Sequence, residues 1–321
     1  MKAILLSGGA GTRLQNIAGG LPKPMMPILG KPLLEHTVSL LREQGFSDLC
    51  LTLHYNPEPI RRHFGDGALF GVRMTYQTEK TPLGTAGAVK NCRSFYEDSD
   101  EPFLVMSGDS ACDFPLSELM AAHRGGVTIG LSDTPEPLAF GLVVTDRRGA
   151  VTGFVEKPDW EHVVTDRVST GTYILDPEVM AHVPPNRPYD FARDLFPRLL
   201  ELGIPMTGTK LEGYWRDIGT PRSYYQCNLD ALDGLYRLPG GPGHTRRVLP
   251  CQNRARLMRV MGEALAEYAA DFSNGLTLER DGRRSHIAPL AERSALCLEG
   301  DAPDVARLEA LAKKLEQSPD K

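Results

Sequence analysis

The amino-acid sequence predicts an α/β fold: a mostly parallel sheet with helices on both faces, followed by a small α+β unit. Three observations carry this. Short apolar runs at residues 3–6, 48–54, 72–77 and 103–106 read as buried strands. Helically spaced segments separate the first three of them, and the order β-α-β-α-β is that of a parallel sheet. Near Leu238 the composition changes to Pro239-Gly240-Gly241-Pro242-Gly243, which reads as a linker, and a second patterned region follows.

The first strand, 3–6, breaks into Ser7-Gly8-Gly9-Ala10-Gly11-Thr12-Arg13-Leu14. Residues 33–44 have helical spacing, with Leu33, Leu34, Thr37, Leu40 and Leu41 on one face and Gly45 as C-cap. A strand at 48–54, a short helix at 58–64 and a strand at 72–77 follow. The strand at 103–106 ends in Ser107-Gly108-Asp109. Then come a helix at 116–123, strands at 128–131, 141–145 and 150–154, and helices at 176–183 and 191–202. This divides the chain into a domain at 1–237, a Pro/Gly linker at 238–246 and a small α+β domain at 247–321. The last contains a helix at 255–268, strands at 276–280 and 295–299, a final helix at 303–315 and a frayed tail at 318–321.

Composition bounds the function classes. A length of 321 residues fits about two domains. Hydrophobic content of 41% and charged content of 24% are those of a soluble globular protein. A net charge of −5 disfavours a general nucleic-acid binder. No apolar run approaches the ~18 residues of a membrane span. The chain opens in a strand rather than a signal peptide, so a cytoplasmic enzyme without nucleic-acid or membrane partners is expected. The six cysteines are scattered without a C-x-x-C pair, which fits reduced thiols rather than a disulfide framework or zinc site.

The opening loop carries the first chemistry. Gly8, Gly9 and Gly11 let backbone N–H groups approach an anion. Arg13 adds a planar fork of donors suited to phosphate, and Pro22-Lys23-Pro24 holds a second cation in a fixed turn. A Walker loop would need Gly-Lys-Ser/Thr, and a dinucleotide fingerprint a third Gly where Leu14 stands. The plainer alternative is an ordinary Gly-rich turn; Arg13 and Lys23 favour a triphosphate grip. Glu79-Lys80-Thr81-Pro82-Leu83-Gly84-Thr85-Ala86-Gly87 follows a strand, and its small residues let a flat ligand lie on the backbone. Glu79 is an acceptor-only carboxylate, matching the two adjacent donors of guanine; the uracil or thymine edge suits an amide better. A solvated loop carboxylate is the alternative. Asp109 stands at the carboxyl end of a strand, where open α/β sheets bind ligands. Asp217 lies in Tyr214-Trp215-Arg216-Asp217-Ile218-Gly219-Thr220. Each alone reads as a cap or turn residue, but two carboxylates with phosphate oxygens and water are a usual Mg²⁺ set. Pro158 keeps Lys157 extended, so Lys157 can meet a second phosphate and Glu156 sugar hydroxyls; a surface charge pair is the alternative. Gly141 and Gly171 would open the backbone to a sugar.

GGAGTRL, PKPMMPILGKPLLEH, EKTPLGTAGAV, GDS, FGLVV, VEKP, TGTY and YWRDIGTPRSYY occur in the order and spacing of one family. Over residues 1–235 the chain resembles the nucleotidyl transferases that make nucleotide sugars, most of all their mannose-1-phosphate guanylyltransferase branch. The resemblance implies a Rossmann-like mixed sheet and transfer of a nucleotidyl group from an NTP, GTP first, to a sugar 1-phosphate, mannose 1-phosphate first. Glucose or heptose 1-phosphate with another NTP also fits the motifs. It implies nucleotide binding by Ser7, Gly8, Gly9, Gly11, Thr12, Glu79, Gly84 and Thr85, and sugar binding by Gly141, Glu156, Ser169, Thr170 and Gly171. Mg²⁺ would sit on Asp109 and Asp217. Arg13 would hold the leaving pyrophosphate, Lys23 the α-phosphate and Lys157 the sugar phosphate. A homo-oligomer is compatible with the resemblance. Two departures stand out: Ser7 replaces a common Ala, and Ser169 replaces the Asn before the Thr-Gly-x-Tyr motif. A non-catalytic sugar-nucleotide sensor is the rival class; it would be expected to lose a metal Asp or the loop Arg, and both are present. Residues 254–300 resemble a degenerate last domain of phosphohexomutases. Ala288-Pro289-Leu290-Ala291-Glu292-Arg293 stands where active mutases carry a Ser-Gly-Thr phosphate loop, so packing, oligomerisation or regulation is expected of this unit.

Overall fold

The computed structural model describes residues 1–9, 11–134, 136–156, 159–238, 244–271, 276–280, 283–289 and 295–316. The chain forms two compact units, Met1–Pro239 and Gly240–Lys321. Strand β1 (Lys2–Leu6) lies inside a nine-stranded sheet. Its apolar run is continuous because both faces are covered. Ala3 and Leu5 pack with Leu34, Val38, Leu49 and Leu51 on one face, whereas Ile4 joins Val89, Val105 and Phe196 on the other.

From β1 the chain winds one way and then reverses. Helix α1 (Leu33–Glu43), strand β2 (Asp48–Leu53), helix α2 (Glu58–Phe64) and strand β3 (Arg73–Thr78) follow it. β2 pairs parallel with β1, and β3 parallel with β2. Helix α3 (Gly84–Asn91) then crosses to β4 (Phe103–Ser107), which pairs parallel with the opposite edge of β1. The winding therefore switches between β1 and β4, and such a switch opens a crevice at the carboxyl ends of the two strands. The loop after Leu6 and the Gly108-Asp109 turn both lie there.

The rest of the unit frames that crevice. It comprises β5 (Ser110–Cys112), α4 (Leu116–Ala122), β6 (Val127–Asp133), β7 (Gly141–Thr145), β8 (Val151–Glu156), β9 (Arg167–Leu175), α5 (Phe196–Glu201), β10 (Met206–Lys210), β11 (Trp215–Asp217) and α6 (Pro221–Leu232). The path through the sheet is β8-β7-β9-β4-β1-β2-β3, with β6 beside β9 and β10 beside β6. β9 runs antiparallel to both β4 and β6, so the sheet is mixed, as the resemblance implied.

Several elements depart from the sequence reading. Residues 176–183 hold a 3-10 helix, Pro177–His182. Residues 191–202 begin as a π turn, Phe191–Leu195, and become α-helical only at Phe196. Pro197 supplies the cause: it has no N–H to return to Arg193, so the wider turn precedes it. Strands β5, β9, β10 and β11 and helices α3 and α6 were not anticipated. α6 nevertheless carries a clear start signal, a capping box between Thr220 and Ser223 with Pro221 in its first turn.

The second unit is a five-stranded antiparallel sheet with two helices. It contains β12 (His244–Pro250), α7 (Arg254–Ala264), β13 (Ala269–Asp271), β14 (Leu276–Arg280), β15 (Arg283–Pro289), β16 (Ala295–Asp301) and α8 (Ala302–Glu316). The strand order is β12-β16-β15-β14-β13. Leu257 and Met261 from α7 and Val305 and Leu308 from α8 bury against Leu249, Ile287 and Leu298. Asn253 caps α7 by accepting from Arg256 N at 3.0 Å. β12, β13 and β15 were not anticipated from the sequence. Linker residues 239–243, residues 290–293 at the mutase-loop position and tail residues 318–321 lie outside the described residues.

Candidate active site

The loop leaving β1 is clamped from both sides of the switch. Ser7 N donates to Thr52 O at 3.2 Å on β2, and Gly108 N donates to Leu6 O at 3.0 Å from the β4 side. Ala10 lies outside the described residues. Thr12–Leu14 forms a 3-10 turn, anchored by Leu14, which buries against Met26, Ile28 and Ile218. Gly11 has φ +55°, and a Cβ there would come within 2.9 Å of Lys23 Cβ. Only glycine both adopts that conformation readily and lets the lysine stem cross so closely.

Lys23 is the centre of the site. Pro22 is extended ahead of it, and Lys23 opens a 3-10 turn that fixes its direction. The residue is almost fully buried, 7% exposed. Its Nζ donates to Asp109 Oδ2 at 3.0 Å and to Asp217 Oδ1 at 2.5 Å, partners 86 and 194 residues away in sequence. Asp109 stands two residues past the end of β4. Asp217 ends β11, which pairs antiparallel with β5 so that Asp217 faces Ser110. Burial favours loss of the lysine proton, but the charges of Asp109 and Asp217 outweigh it, and the ammonium is held more firmly than in an ordinary lysine.

Arg13 joins the same wall. A Cβ on Gly219 would fall 2.8 Å from Arg13 Nη2 and 2.7 Å from Asp217 Oδ2. Gly219 therefore leaves the space in which the arginine fork and the carboxylate stand side by side. Sequence reasoning named both side chains and missed this spacer; the Ile218-Gly219 pair gave no separate signal. On the other side of the crevice is Glu79, 7% exposed. Its Oε2 accepts from Leu83 N at 2.9 Å, and its Oε1 lies 3.2 Å from the point where a Cβ on Gly8 would be. Burial raises the Glu79 pKa, and the Leu83 N–H and His54 offset part of the rise.

Thr85, expected at the nucleotide, makes hydrogen bonds within the protein. Its hydroxyl donates to Asp190 Oδ2 at 2.8 Å and accepts from Phe191 N at 2.9 Å. Cβ atoms on Gly84 and Gly87 would meet Tyr189 O at 2.7 Å and Arg187 O at 3.0 Å. The Leu83–Gly87 motif thus docks α3 against residues 187–191. Asp190, missed from the sequence, also caps the π turn by accepting from Ala192 N. An Asp just before an apolar periodic run was the available signal.

β9 shapes the remaining wall. Its register shifts between Ser169 and Tyr173, the span that holds Thr170 and Gly171. Gly171 has φ +74°, and a Cβ there would fall 2.3 Å from Ser107 Oγ, so the bulge lies directly on the end of β4. Thr170 turns its hydroxyl to Gly130 O at 2.8 Å, while its carbonyl accepts from Trp215 Nε1 at 3.1 Å. Ser169 Oγ is 3.0 Å from Tyr173 OH. Trp215 meets Phe140 edge-on at 5.1 Å, and Gly141 pairs with Glu156 at the β7–β8 end. The Glu156 side chain, Lys157 and Pro158 lie outside the described residues. Ser7 Oγ is buried with no hydrogen-bond partner among the described residues, the local consequence of a hydroxyl where a methyl would fit.

The family model described as Nucleotidyl transferase matches residues 2–234. The chain belongs to the nucleotidyl transferase family. It is 37% identical over 241 residues to a UTP–glucose-1-phosphate uridylyltransferase of Synechocystis sp., covering 71% of this chain and 62% of that protein. It is 34% identical over 246 residues to a mannose-1-phosphate guanylyltransferase of Mycobacterium tuberculosis, covering 75% of this chain and 67% of that protein. The structure of HddC from Yersinia pseudotuberculosis complexed with GMP-PN superposes with a TM-score of 0.62 at 27% identity, over 72% of this chain and 99% of that one. The sheet path and the switch-point crevice are thus those of a nucleotidyl transferase.

Members of this family generally use a divalent cation, and the residues here fit one. Oxygens of two aspartates converge on a single positive charge, the Lys23 ammonium, which stands in for a cation at that point. Among the described residues no three His, Cys, Asp or Glu side chains gather as a ready-made cage. Two carboxylates leave the remaining positions of an octahedron to phosphate oxygens and water, the usual way Mg²⁺ is bound with nucleotides.

Proposed function

We propose that this nucleotidyl transferase moves a nucleotidyl group from GTP to a sugar 1-phosphate, mannose 1-phosphate first, giving a nucleotide sugar and pyrophosphate. The observation that carries the reading is the meeting of Lys23, Asp109 and Asp217 at the carboxyl ends of β1 and β4. The guanine preference is supported by Glu79, whose buried acceptors match two adjacent base donors. It also has support from HddC, whose structure holds GMP-PN.

In the proposed reaction the sugar phosphate oxygen attacks the α-phosphorus, the bond to the bridging β-phosphate oxygen breaks in line, and pyrophosphate leaves with that electron pair. A phosphate monoester with a second pKa of about 6 is already largely ionised near neutrality, so no strong base is required of the protein. A Mg²⁺ ion on Asp109 and Asp217, when bound, supplies charge neutralisation for the phosphate oxygens. Arg13 and the N–H groups of the opening loop hold the pyrophosphate. Lys23 steadies the α-phosphate and Lys157 the sugar phosphate. Gly141, Gly171 and Ser169 offer the sugar a close backbone and a hydroxyl. The catalytic effect is positioning and electrostatics.

A second reading, UTP with glucose 1-phosphate, is favoured by the 37% identity to the uridylyltransferase. Pyrophosphate release measured over four nucleoside triphosphates and mannose, glucose and heptose 1-phosphates separates the readings. GTP with mannose 1-phosphate is expected to give the highest kcat/KM. Highest activity with UTP would favour the second reading, and no product with any pair would refute both.

A further inference from the structure

The ammonium of Lys23 lies between the two carboxylates on which the proposed divalent cation would sit. Its Nζ sits 3.0 Å from Asp109 Oδ2 and 2.5 Å from Asp217 Oδ1. Mg²⁺ binds carboxylate oxygens at about 2.0–2.1 Å, so an ion held by the same two oxygens needs the same space. The two cations exclude each other sterically and by charge. The lysine cannot simply relax aside, because it is buried and its stem lies against Gly11. Leaving the carboxylates uncompensated is costly for either charge alone. Moving the ammonium off the carboxylates without loss needs another anion to receive it. In the crevice the proposed arrival is the α-phosphate.

We propose that Lys23 is a resident counter-ion that keeps the Asp109–Asp217 site closed to metal until a nucleotide enters. The triphosphate draws the ammonium off the carboxylates, and the divalent ion that accompanies it takes the vacated position. Lys23 thus has two stations, and metal binding is coupled to nucleotide binding. The inference rests on the metal reading above. It adds that Asp109 and Asp217 bind metal poorly without nucleotide because a lysine is already there.

The test uses the full chain and Mn²⁺ as the probe, with free ion read by its electron paramagnetic resonance signal. Without nucleotide, the wild type is expected to bind Mn²⁺ at least tenfold more weakly than Lys23→Met, which keeps the stem and removes the charge. A non-hydrolysable GTP analogue is expected to tighten Mn²⁺ binding by the wild type at least tenfold. Adding Asp109→Asn to Lys23→Met should abolish the gain. Removing the ammonium also leaves two carboxylates unpaired, so thermal melting gives a second readout: Mn²⁺ should raise the Tm of Lys23→Met more than that of the wild type. Equal Mn²⁺ affinity and equal Tm shifts in the two proteins would overturn the proposal. So would tight binding of Mn²⁺ alone by the wild type. Turnover assays are separate: an inactive enzyme with the Mn²⁺ difference intact would refute the proposed reaction and not the lysine's role.

Discussion

Replacing Glu79 by Gln tests the base assignment through one hydrogen bond inside the protein. Leu83 N donates to Glu79 Oε2 at 2.9 Å. A glutamine must keep its carbonyl oxygen there, because its NH₂ cannot accept. The NH₂ then takes the place of Oε1, beside Gly8. It would meet the ring N–H and amino group of guanine donor against donor, whereas it can donate to a carbonyl of uracil. Hydrogen bonds to a charged partner contribute about 1.5–3 kcal/mol each. Losing one and opposing another costs about 3 kcal/mol, or roughly 150-fold in kcat/KM for GTP at about 1.4 kcal/mol per tenfold. The ratio of kcat/KM for GTP to that for UTP, with one sugar phosphate, cancels the titration of the shared substrate. It should fall by about that factor in Glu79→Gln, with the Tm unchanged or slightly higher because a buried charge is gone. The pH profile of the same ratio is a further check. Burial raises the Glu79 pKa, with partial opposition from the Leu83 N–H and His54. As pH falls through that raised value, the carboxylate gains a proton and becomes a donor. The wild-type ratio should therefore begin to fall above the usual carboxylate range, while the Gln variant stays flat. The same shift makes the ionised form a stability cost, absent below the unfolded pKa and fully present above the folded one. A GTP/UTP ratio unchanged by the substitution would refute the assignment.

Three other outcomes follow from the geometry. Asp109→Asn should abolish turnover while equilibrium dialysis still detects binding of a GTP analogue; wild-type turnover would sink the role given to this carboxylate. Gly219→Ala should lower turnover about 10- to 100-fold through displacement of Asp217 and Arg13, because a shift of ~1 Å in a positioned group can cost two orders of magnitude. Its Tm should stay within about 2 °C, since position 219 is not in the left-handed region and both neighbours are ends of flexible chains. Thr85→Val should destabilise the fold by about 1–3 kcal/mol in urea titration, because Phe191 N and Asp190 lose their partner; a raised nucleotide KM with unaltered stability would instead mean that this hydroxyl meets the nucleotide.

The parallel half of the sheet was legible because its strands are buried on both faces. Ala3–Leu6, Leu49–Leu53 and Phe103–Met106 are runs that only a covered strand tolerates, and the amphipathic stripe of α1 names its own inner face. The antiparallel half was harder to read. β5 and β11 are three residues each, too short for any periodicity to register. β9 was not read as a strand, and only its Thr-Gly-Thr-Tyr motif was noted, since its register shift at Ser169–Tyr173 breaks the alternation that would have marked the strand. Two glycines disguised α3 as a loop. They are there because residues 187–189 approach too closely for a side chain, a cause that lies a hundred residues away in sequence.

Residue types at the site could be listed from the sequence, but their relations could not. Nothing local in Pro22-Lys23-Pro24 says that the ammonium will rest between two aspartates. That follows from the pairing of Ser110 with Asp217, which sets the end of β11 beside the end of β4. The pairing also explains why Gly219 has to be small. Two residues beyond Asp217, the chain turns back past the carboxylate it has just placed and past Arg13 from the opening loop. A phosphate loop, a lysine turn and two strand ends thus meet at one point only because the sheet reverses its winding between β1 and β4. In such an arrangement the charges must balance before any substrate arrives. Lys23, with Arg13 beside Asp217, supplies that balance, and the lysine's position between the carboxylates is a property of the free protein as much as of the reaction.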